Sequence, residues 1–239
     1  LAQDKPFVWL IIANEGQSTG NDDGRYAMTT PQERGDWWGA FSLRIAELGM
    51  LRDGYRLLIG GWSAGTPELG FWEAPRQHEF LQMCAEYPNA LGIAVHEGVD
   101  PRSASAPYDH LINDVPYITR RYQFIFDECA KLHLRRPRIF ISECAWKFDD
   151  VPDLAWRERD IREAAHYYAQ DPEVLGVTLW WCGAGHAGIA NKLAQSIPFL
   201  RALALTDEFD GQPIWADLAP HYQPEPQPQP EPQPIAIDA

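Results

Sequence analysis

The sequence predicts an α/β protein built on a parallel sheet, and three observations lead to this prediction. Short apolar segments alternate with segments of helical periodicity in five successive strand-then-helix units. The strand predicted at 7–13 is apolar on both faces, as in sheets that helices cover. Each predicted strand also ends in polar or aromatic residues, which is typical of the edge of a parallel sheet where ligands bind.

The chain of 239 residues is 45% hydrophobic and can therefore bury a sizeable core. We expect one folded domain over residues 1–222, followed by a Pro/Gln/Glu-rich linker at 223–239. In this linker proline alternates with glutamine or glutamate, a pattern that forms an extended polyproline II spacer and cannot build a core. Since such a spacer connects modules, we expect further domains of the same polypeptide.

The formal net charge of −14 argues against nucleic-acid and anionic-membrane partners, because both are bound through clustered lysine and arginine. No segment approaches the roughly 18 apolar residues of a membrane span. The four cysteines lack the close pairing of a zinc site, so we expect buried thiols. Cys144 and Cys182 end neighbouring predicted strands and could lie side by side.

The sequence predicts where the first helix begins. Residues 30–33, Thr-Pro-Gln-Glu, form a capping box with proline at the first helical position. An apolar stripe at helical spacing follows, made of Trp37, Trp38, Phe41, Ile45 and Leu48. We expect this stripe to face the core.

The other four units follow the same plan. We expect a second strand at 55–60 with a helix at about 75–87, and a third strand at 90–95. The helix after the third strand carries a core face of Ile118, Tyr122, Ile125, Cys129 and Leu132. We expect a fourth strand centred on 139–141 with a helix near 154–170, and a fifth strand at 174–179 with a last helix at about 189–204.

Two architectures contain five such units: a five-stranded open doubly wound sheet, or the C-terminal five units of a (β/α)8 TIM barrel. A nucleotide-binding open sheet would carry a glycine-rich phosphate loop, and the sequence contains none. The strand ends instead carry residues suited to a wide rim pocket: Asn14, Glu15, Trp62, His96, Glu97, Glu143, Trp180 and Trp181. These endings favour the TIM barrel.

This ordered series of strand ends resembles the second half of the large clan of retaining glycoside hydrolases with (β/α)8 barrels. In that clan an acid/base glutamate follows an asparagine at the end of strand four, and the nucleophile ends strand seven. Residues 9–15 resemble the strand-four motif, and residues 139–143 resemble the strand-seven motif. The segments 56–65, 92–97 and 176–181 are similar to strands five, six and eight.

The resemblance implies a retaining glycoside hydrolase with a carbohydrate substrate, no cofactor and no metal. It implies that Glu143 is the nucleophile and that Glu15 is the acid/base, with carboxyl groups about 5–5.5 Å apart. The same resemblance implies substrate-binding roles for Asn14, at the sugar 2-hydroxyl, and for Trp62, His96, Trp180 and Trp181. A location outside the cell is an expectation by analogy with the clan alone.

The sequence leaves two other functions open. The domain could be a non-catalytic barrel that binds glycans, or a metal hydrolase that recruits His96, Glu97, His186 and an aspartate, although no two histidines are spaced as ligands on one helix. The clan's first three strands have no counterpart here. We therefore expect an open apolar edge at 7–13, further residues upstream, and association of the 1–222 fragment when it is expressed alone.

Overall fold

The computed structural model describes residues 9–13, 30–98, 111–112, 115–146, 151–180 and 187–205. Within these ranges five strands form one sheet: β1 (Trp9–Ile12), β2 (Arg56–Trp62), β3 (Leu91–Gly98), β4 (Arg138–Ala145) and β5 (Val174–Leu179). All neighbouring strands are parallel, and their order in the sheet follows their order in the chain. The predicted parallel α/β fold is confirmed.

The described helices are α1 (Pro31–Ile45), α2 (Pro75–Glu86), α3 (Gln123–Lys131), α4 (Leu154–Tyr168), α5 (Ala187–Ala194) and α6 (Ile197–Leu205). Helix α1 continues as a π-helix over Ala46–Arg52. The single last helix expected at about 189–204 is in fact two helices. Pro198 has no N–H to donate, so a new helix begins around it rather than continuing α5. No helix in the described ranges is long and apolar enough to cross a membrane.

The strand order shows which side of the sheet the helices cover. It runs 1-2-3-4-5 without the reversal that defines a doubly wound sheet, so that alternative does not describe this chain. Because parallel crossovers are right-handed, a sequential order places the helices on one face. The sheet curls around its other face as a half-barrel, and this second face is concave.

The core lies between the helices and the convex face of the sheet. Alternate residues of the inner strands enter it, namely Leu57, Ile59, Leu91, Ile93, Ile139 and Ile141. Strand β3 is buried over its whole length, whereas the edge strands β1 and β5 are partly exposed. Three cysteines, Cys84, Cys129 and Cys144, are buried free thiols as expected, and Cys182 lies outside the described residues.

Helix α1 begins as predicted but faces the core differently. The Thr30 hydroxyl accepts a hydrogen bond from the Glu33 N–H, and the Glu33 carboxylate accepts one from the Thr30 N–H. The expected apolar stripe is partly wrong, because Trp37 is 55% exposed. The buried face consists of Gly35, Trp38, Gly39, Ser42 and Ala46. The two glycines turn toward the neighbouring elements, and this rotation points Trp37 outward.

Helix α3 is shorter than its apolar periodicity indicates. Ile118, Tyr122, Ile125 and Cys129 are buried as predicted, but the helix begins only at Gln123. Arg120 has a φ of 59°, in the left-handed region that interrupts a right-handed helix. The periodic pattern therefore identified the buried side chains but not the start of the helix.

The close packing of α1 on α2 depends on Gly39. A Cβ atom at this position would lie 2.4 Å from the carbonyl carbon of Arg76, which belongs to the main chain and cannot move aside alone. We expect Gly39→Ala to lower the free energy of unfolding by about 1–3 kcal/mol because α1 must shift from α2. Urea denaturation of the purified protein measures this change.

Gly188 in α5 is the matched control for that experiment. It is also a helical glycine, but a Cβ atom there would meet nothing within 4 Å. Gly188→Ala should leave the stability unchanged or raise it by up to about 1 kcal/mol, since alanine is the better helix former. Equal effects at the two glycines would contradict the close contact.

Candidate active site

All the strands are parallel, so their carboxyl ends meet at one edge of the sheet. Strand β3 ends with His96, Glu97 and Gly98, and Glu143 lies near the end of the neighbouring strand β4. In the register of these strands His96 is paired with Glu143. Trp180 follows β5 directly, and its N–H donates a hydrogen bond of 2.9 Å to the Cys144 carbonyl. Three of the predicted site residues are therefore on adjacent strand ends.

His96 and Glu143 form the central pair of this edge. The His96 Nδ1 atom lies 3.4 Å from the Glu143 Oε2 atom. The histidine side chain is 4% exposed and the glutamate side chain is 28% exposed, so the imidazole lies beneath a carboxylate that solvent reaches. Within the described part of the chain, Nδ1 makes no hydrogen bond of good geometry. The two groups are therefore close, but no well-aligned hydrogen bond joins them.

Burial decides the charge of this pair. It lowers the pKa of His96 to about 4, because the interior disfavours the imidazolium form. The ring is therefore neutral at neutral pH, and its contact with Glu143 is not an ion pair. A neutral ring can still donate a hydrogen bond to the carboxylate if Nδ1 carries the proton.

Irregular strand pairing surrounds the pair on both sides. The register between β3 and β4 shifts between Val95 and His96, and the register between β4 and β5 shifts between Ile141 and Cys144. The Ser142 hydroxyl donates to the Val95 carbonyl at 3.3 Å, and the Thr178 hydroxyl donates to the Ser142 carbonyl. Such bulges re-aim side chains next to active sites, and here they occur where Glu143 leaves the sheet.

Glu97 points to the opposite face of the sheet, toward the helices. The N–H groups of Arg120 and Arg121 donate to its two carboxylate oxygens at 2.8 Å and 3.1 Å, and the Tyr168 hydroxyl also donates to it. Burial is the dominant effect and raises the pKa of Glu97 to about 7, although these hydrogen bonds oppose the shift. The side chain is thus a structural carboxyl behind the site.

This orientation of Glu97 bears on the metal-hydrolase alternative. His96 and Glu97 project from opposite faces, so the two side chains cannot bind one ion together. Across the described ranges no group of three His, Cys, Asp or Glu side chains is arranged to hold a metal ion. His186 lies outside the described residues.

Trp62 requires a correction. We expected it to bind the sugar at the rim, but its side chain is fully buried on the helix side. Its ring packs edge-on against the rings of Trp38, Phe71 and Trp72, with centroid separations of 5.2–5.9 Å. A register shift between Gly60 and Trp62 changes the alternation of β2, so the ring enters the core and offers no face to a ligand.

Asn14, Glu15 and Trp181 lie outside the described residues, so their predicted roles stay predictions. Strand β1 ends at Ile12, and in the parallel sheet this end lies on the same edge as Glu143. The structure thus brings His96 and Glu143 together, places the main chain of Trp180 at the same edge, and places Trp62 elsewhere.

Sequence reasoning missed several buried polar groups on the helix side of the sheet. Tyr168 closes α4, and Asp171 follows it and accepts hydrogen bonds from the Tyr122 hydroxyl at 2.8 Å and from the Arg120 guanidinium. Asp160 accepts hydrogen bonds from the Trp146 indole N–H and the Leu111 N–H. A polar residue on the buried face of a helix was the available signal, and Asp160 beside Ile161 shows it.

The pKa of Glu97 predicts a pH dependence of stability. The unfolded chain releases this proton near pH 4.5, whereas the folded chain keeps it up to about pH 7. Stability from this group is therefore fully present below pH 4.5 and falls by roughly 3 kcal/mol as the pH rises to 7. The difference in unfolding free energy between wild type and Glu97→Gln should follow this course in urea titrations at a series of pH values.

Tyr168→Phe supplies the internal check on that result. Loss of the hydroxyl donor removes a contact that lowers the pKa of Glu97, so the pH at which stability stops falling should move above 7. If the unfolding free energies of the wild type and of Glu97→Gln changed in parallel over the whole pH range, this pH dependence could not be assigned to Glu97.

No known family model matches this sequence, and no curated protein matches it. A function for the chain is therefore inferred from the geometry of the strand ends.

Proposed function

We propose that the chain is a retaining glycoside hydrolase, with Glu143 as the nucleophile and Glu15 as the acid/base. One observation carries the proposal: a partly exposed carboxylate at the carboxyl end of a parallel strand, with a buried neutral imidazole nitrogen 3.4 Å away. A carboxylate that only marked the end of a strand would need neither a buried histidine beside it nor bulges on both sides.

The fold supports a barrel as the setting for this chemistry. We propose that β1–β5 are the C-terminal five strands of a (β/α)8 TIM barrel, and that three more strand-then-helix units close it. Sequential parallel order, helices on one face and a curl toward the other face are the features of that barrel. Both edge strands are partly exposed, and Ile11 of β1 is 43% exposed, as expected of strands that lack a neighbour.

The curl also explains how two distant strands could share one substrate. Strands β1 and β4 are three positions apart, or about 14 Å along a flat sheet. A retaining mechanism requires carboxyl groups about 5–5.5 Å apart. Side chains that project into a concave face converge, and long ones such as glutamate can cover the remaining gap. A flat sheet would hold Glu15 and Glu143 apart.

The proposed roles of Glu143 and Glu15 give a reaction of two steps. A Glu143 oxygen forms an ester bond with the anomeric carbon while the glycosidic bond breaks and Glu15 gives its proton to the leaving oxygen. Water then attacks the same carbon, its proton passes to Glu15, and the ester bond to Glu143 breaks. The sugar keeps its anomeric configuration because the carbon is inverted twice.

His96 and Trp180 have supporting roles in this proposal. A neutral His96 can orient the Glu143 carboxylate without adding a full positive charge that would weaken it as a nucleophile. Trp180 has its main chain at this edge and a partly exposed side chain, and in this proposal its indole ring packs against the apolar face of a sugar. Asn14 would hold the 2-hydroxyl, and Trp181 would add to the sugar platform.

Covalent trapping tests the assignment of the nucleophile. A 2-fluoro glycosyl reagent with a good leaving group should form a stable ester on Glu143, which peptide mass spectrometry identifies, because fluorine slows the second step. Glu143→Gln should abolish labelling and lower hydrolysis by several orders of magnitude.

Glu173→Gln is the matched control, because this carboxyl lies directly before β5 at the amino edge of the same sheet. Labelling and hydrolysis should persist in that variant. Binding of oligosaccharides without any labelled residue would instead indicate a domain that binds glycans and does not cleave them.

The barrel proposal has its own test in solution. In the described sheet β1 and β5 each pair with one strand only, and partly exposed apolar edges pair with other chains. The fragment 1–222 is the test of these edges. We expect it to form oligomers in light scattering after size exclusion, and to become monomeric when three more strand-then-helix units are joined to its N-terminus. A monomeric fragment that melts cooperatively would mean that five strands suffice.

A further inference from the structure

We propose that Glu97 is a positioning residue: from the helix side of the sheet it holds the end of β3 so that His96 meets Glu143. Its relevance to catalysis rests on the proposed glycosidase function, whereas the positioning itself can be tested without any substrate.

The first step of the argument is the adjacency of the two residues. His96 and Glu97 are consecutive in β3 and project from opposite faces of the sheet. The hydrogen bonds that anchor the Glu97 side chain therefore also hold the adjacent main chain of His96 in place. This anchor is needed where the register of β3 shifts, directly before His96, because the regular ladder is interrupted there.

The second step is that the surrounding chain is built to hold a carboxylate. The N–H groups of Arg120 and Arg121 are successive, and they point at the two oxygens of Glu97. Arg120 takes a left-handed φ of 59°, a conformation that is unfavourable for a non-glycine residue. Successive N–H groups around a left-handed residue form a concave anion site. Glu97 occupies this site and becomes its internal anion as it ionises near pH 7.

The third step concerns the number of acceptors. Glu97 Oε1 accepts from Arg121, and Oε2 accepts from both Arg120 and Tyr168. Glutamine has one oxygen, and its NH2 group would face an N–H donor. The neutral near-isostere therefore cannot reproduce the anchor, although it has the same size.

Among the described residues, the groups that face Glu97 come from three parts of the chain. Residues 120–122 contribute two guanidinium groups and the Tyr122 hydroxyl, α4 contributes the Tyr168 hydroxyl, and β4 contributes the Cys144 thiol. Cys144 directly follows Glu143 in β4. Glu97 directly follows His96 in β3 and is paired in register with Cys144 of β4. It is therefore linked through the main chain to both His96 and Glu143.

Titration of the His96 ring by NMR in the complete protein tests the proposal. The ring signals, identified by their loss in His96→Asn, should show their own transition near pH 4 and a second inflection near pH 7 as Glu97 ionises. Glu97→Gln should remove the second inflection. Tyr168→Phe keeps the carboxylate and should move the inflection to higher pH, so the test survives if Glu97→Gln does not fold.

Glu128→Gln is the matched control. Glu128 is also a buried glutamate, but its partners are His78 and Lys131 on the helices. This variant should leave both transitions of His96 unchanged. A His96 titration without an inflection near pH 7, or with one that persists in Glu97→Gln, overturns the proposal.

Kinetics separate this proposal from the glycosidase function. If the protein hydrolyses glycosides, Glu97→Gln should lower kcat by up to about 100-fold with little change in KM, because a shifted His96 misplaces the nucleophile and not the sugar. Hydrolysis with an unchanged His96 titration would reject the positioning role alone. No hydrolysis with the expected titration would reject the glycosidase function and leave the positioning role intact.

Discussion

The parallel pairing of β3 with β4 is the constraint on which the rest of this structure depends. These two strands form the centre of the described sheet together with β2, and their register pairs His96 with Glu143. Because the pairing is parallel, both residues arrive at the same edge and from the same direction. An antiparallel neighbour would have placed one of them at the far end of the sheet.

The same pairing places different polar groups on the two faces of the sheet. On the concave side, a neutral imidazole lies against a carboxylate that solvent reaches. On the helix side, Glu97, Asp160 and Asp171 are buried carboxyls whose hydrogen bonds tie loops and helices to the strand ends. Buried polar groups are costly unless they are hydrogen-bonded, and here these bonds hold the segment 120–122 and α4 against the sheet.

Where the predicted helices and strands formed at the expected positions, local sequence patterns had indicated them and tertiary contacts did not change them. The capping box at Thr30, the strand at Val174–Leu179 and the helix at Pro75–Glu86 formed at or within one residue of the predicted positions. Some predictions failed for local reasons, because Pro198 divides the last helix and the left-handed φ of Arg120 delays the start of α3. Others failed because of tertiary contacts. The glycines of α1 rotated Trp37 outward, and a register shift carried Trp62 into the core.

The sequence by itself determined that the described part of this chain forms a parallel sheet of five strands and that Glu143 lies near the end of one of them, because strand and helix periods are local properties of the chain. It also determined that His96 and Glu97 would separate, since successive residues of a strand alternate. Only the tertiary structure decided that His96 approaches Glu143 and that Tyr168 reaches Glu97 from 71 residues away. Registers, bulges and burial arise between segments that are distant in the chain, and no local pattern encodes them.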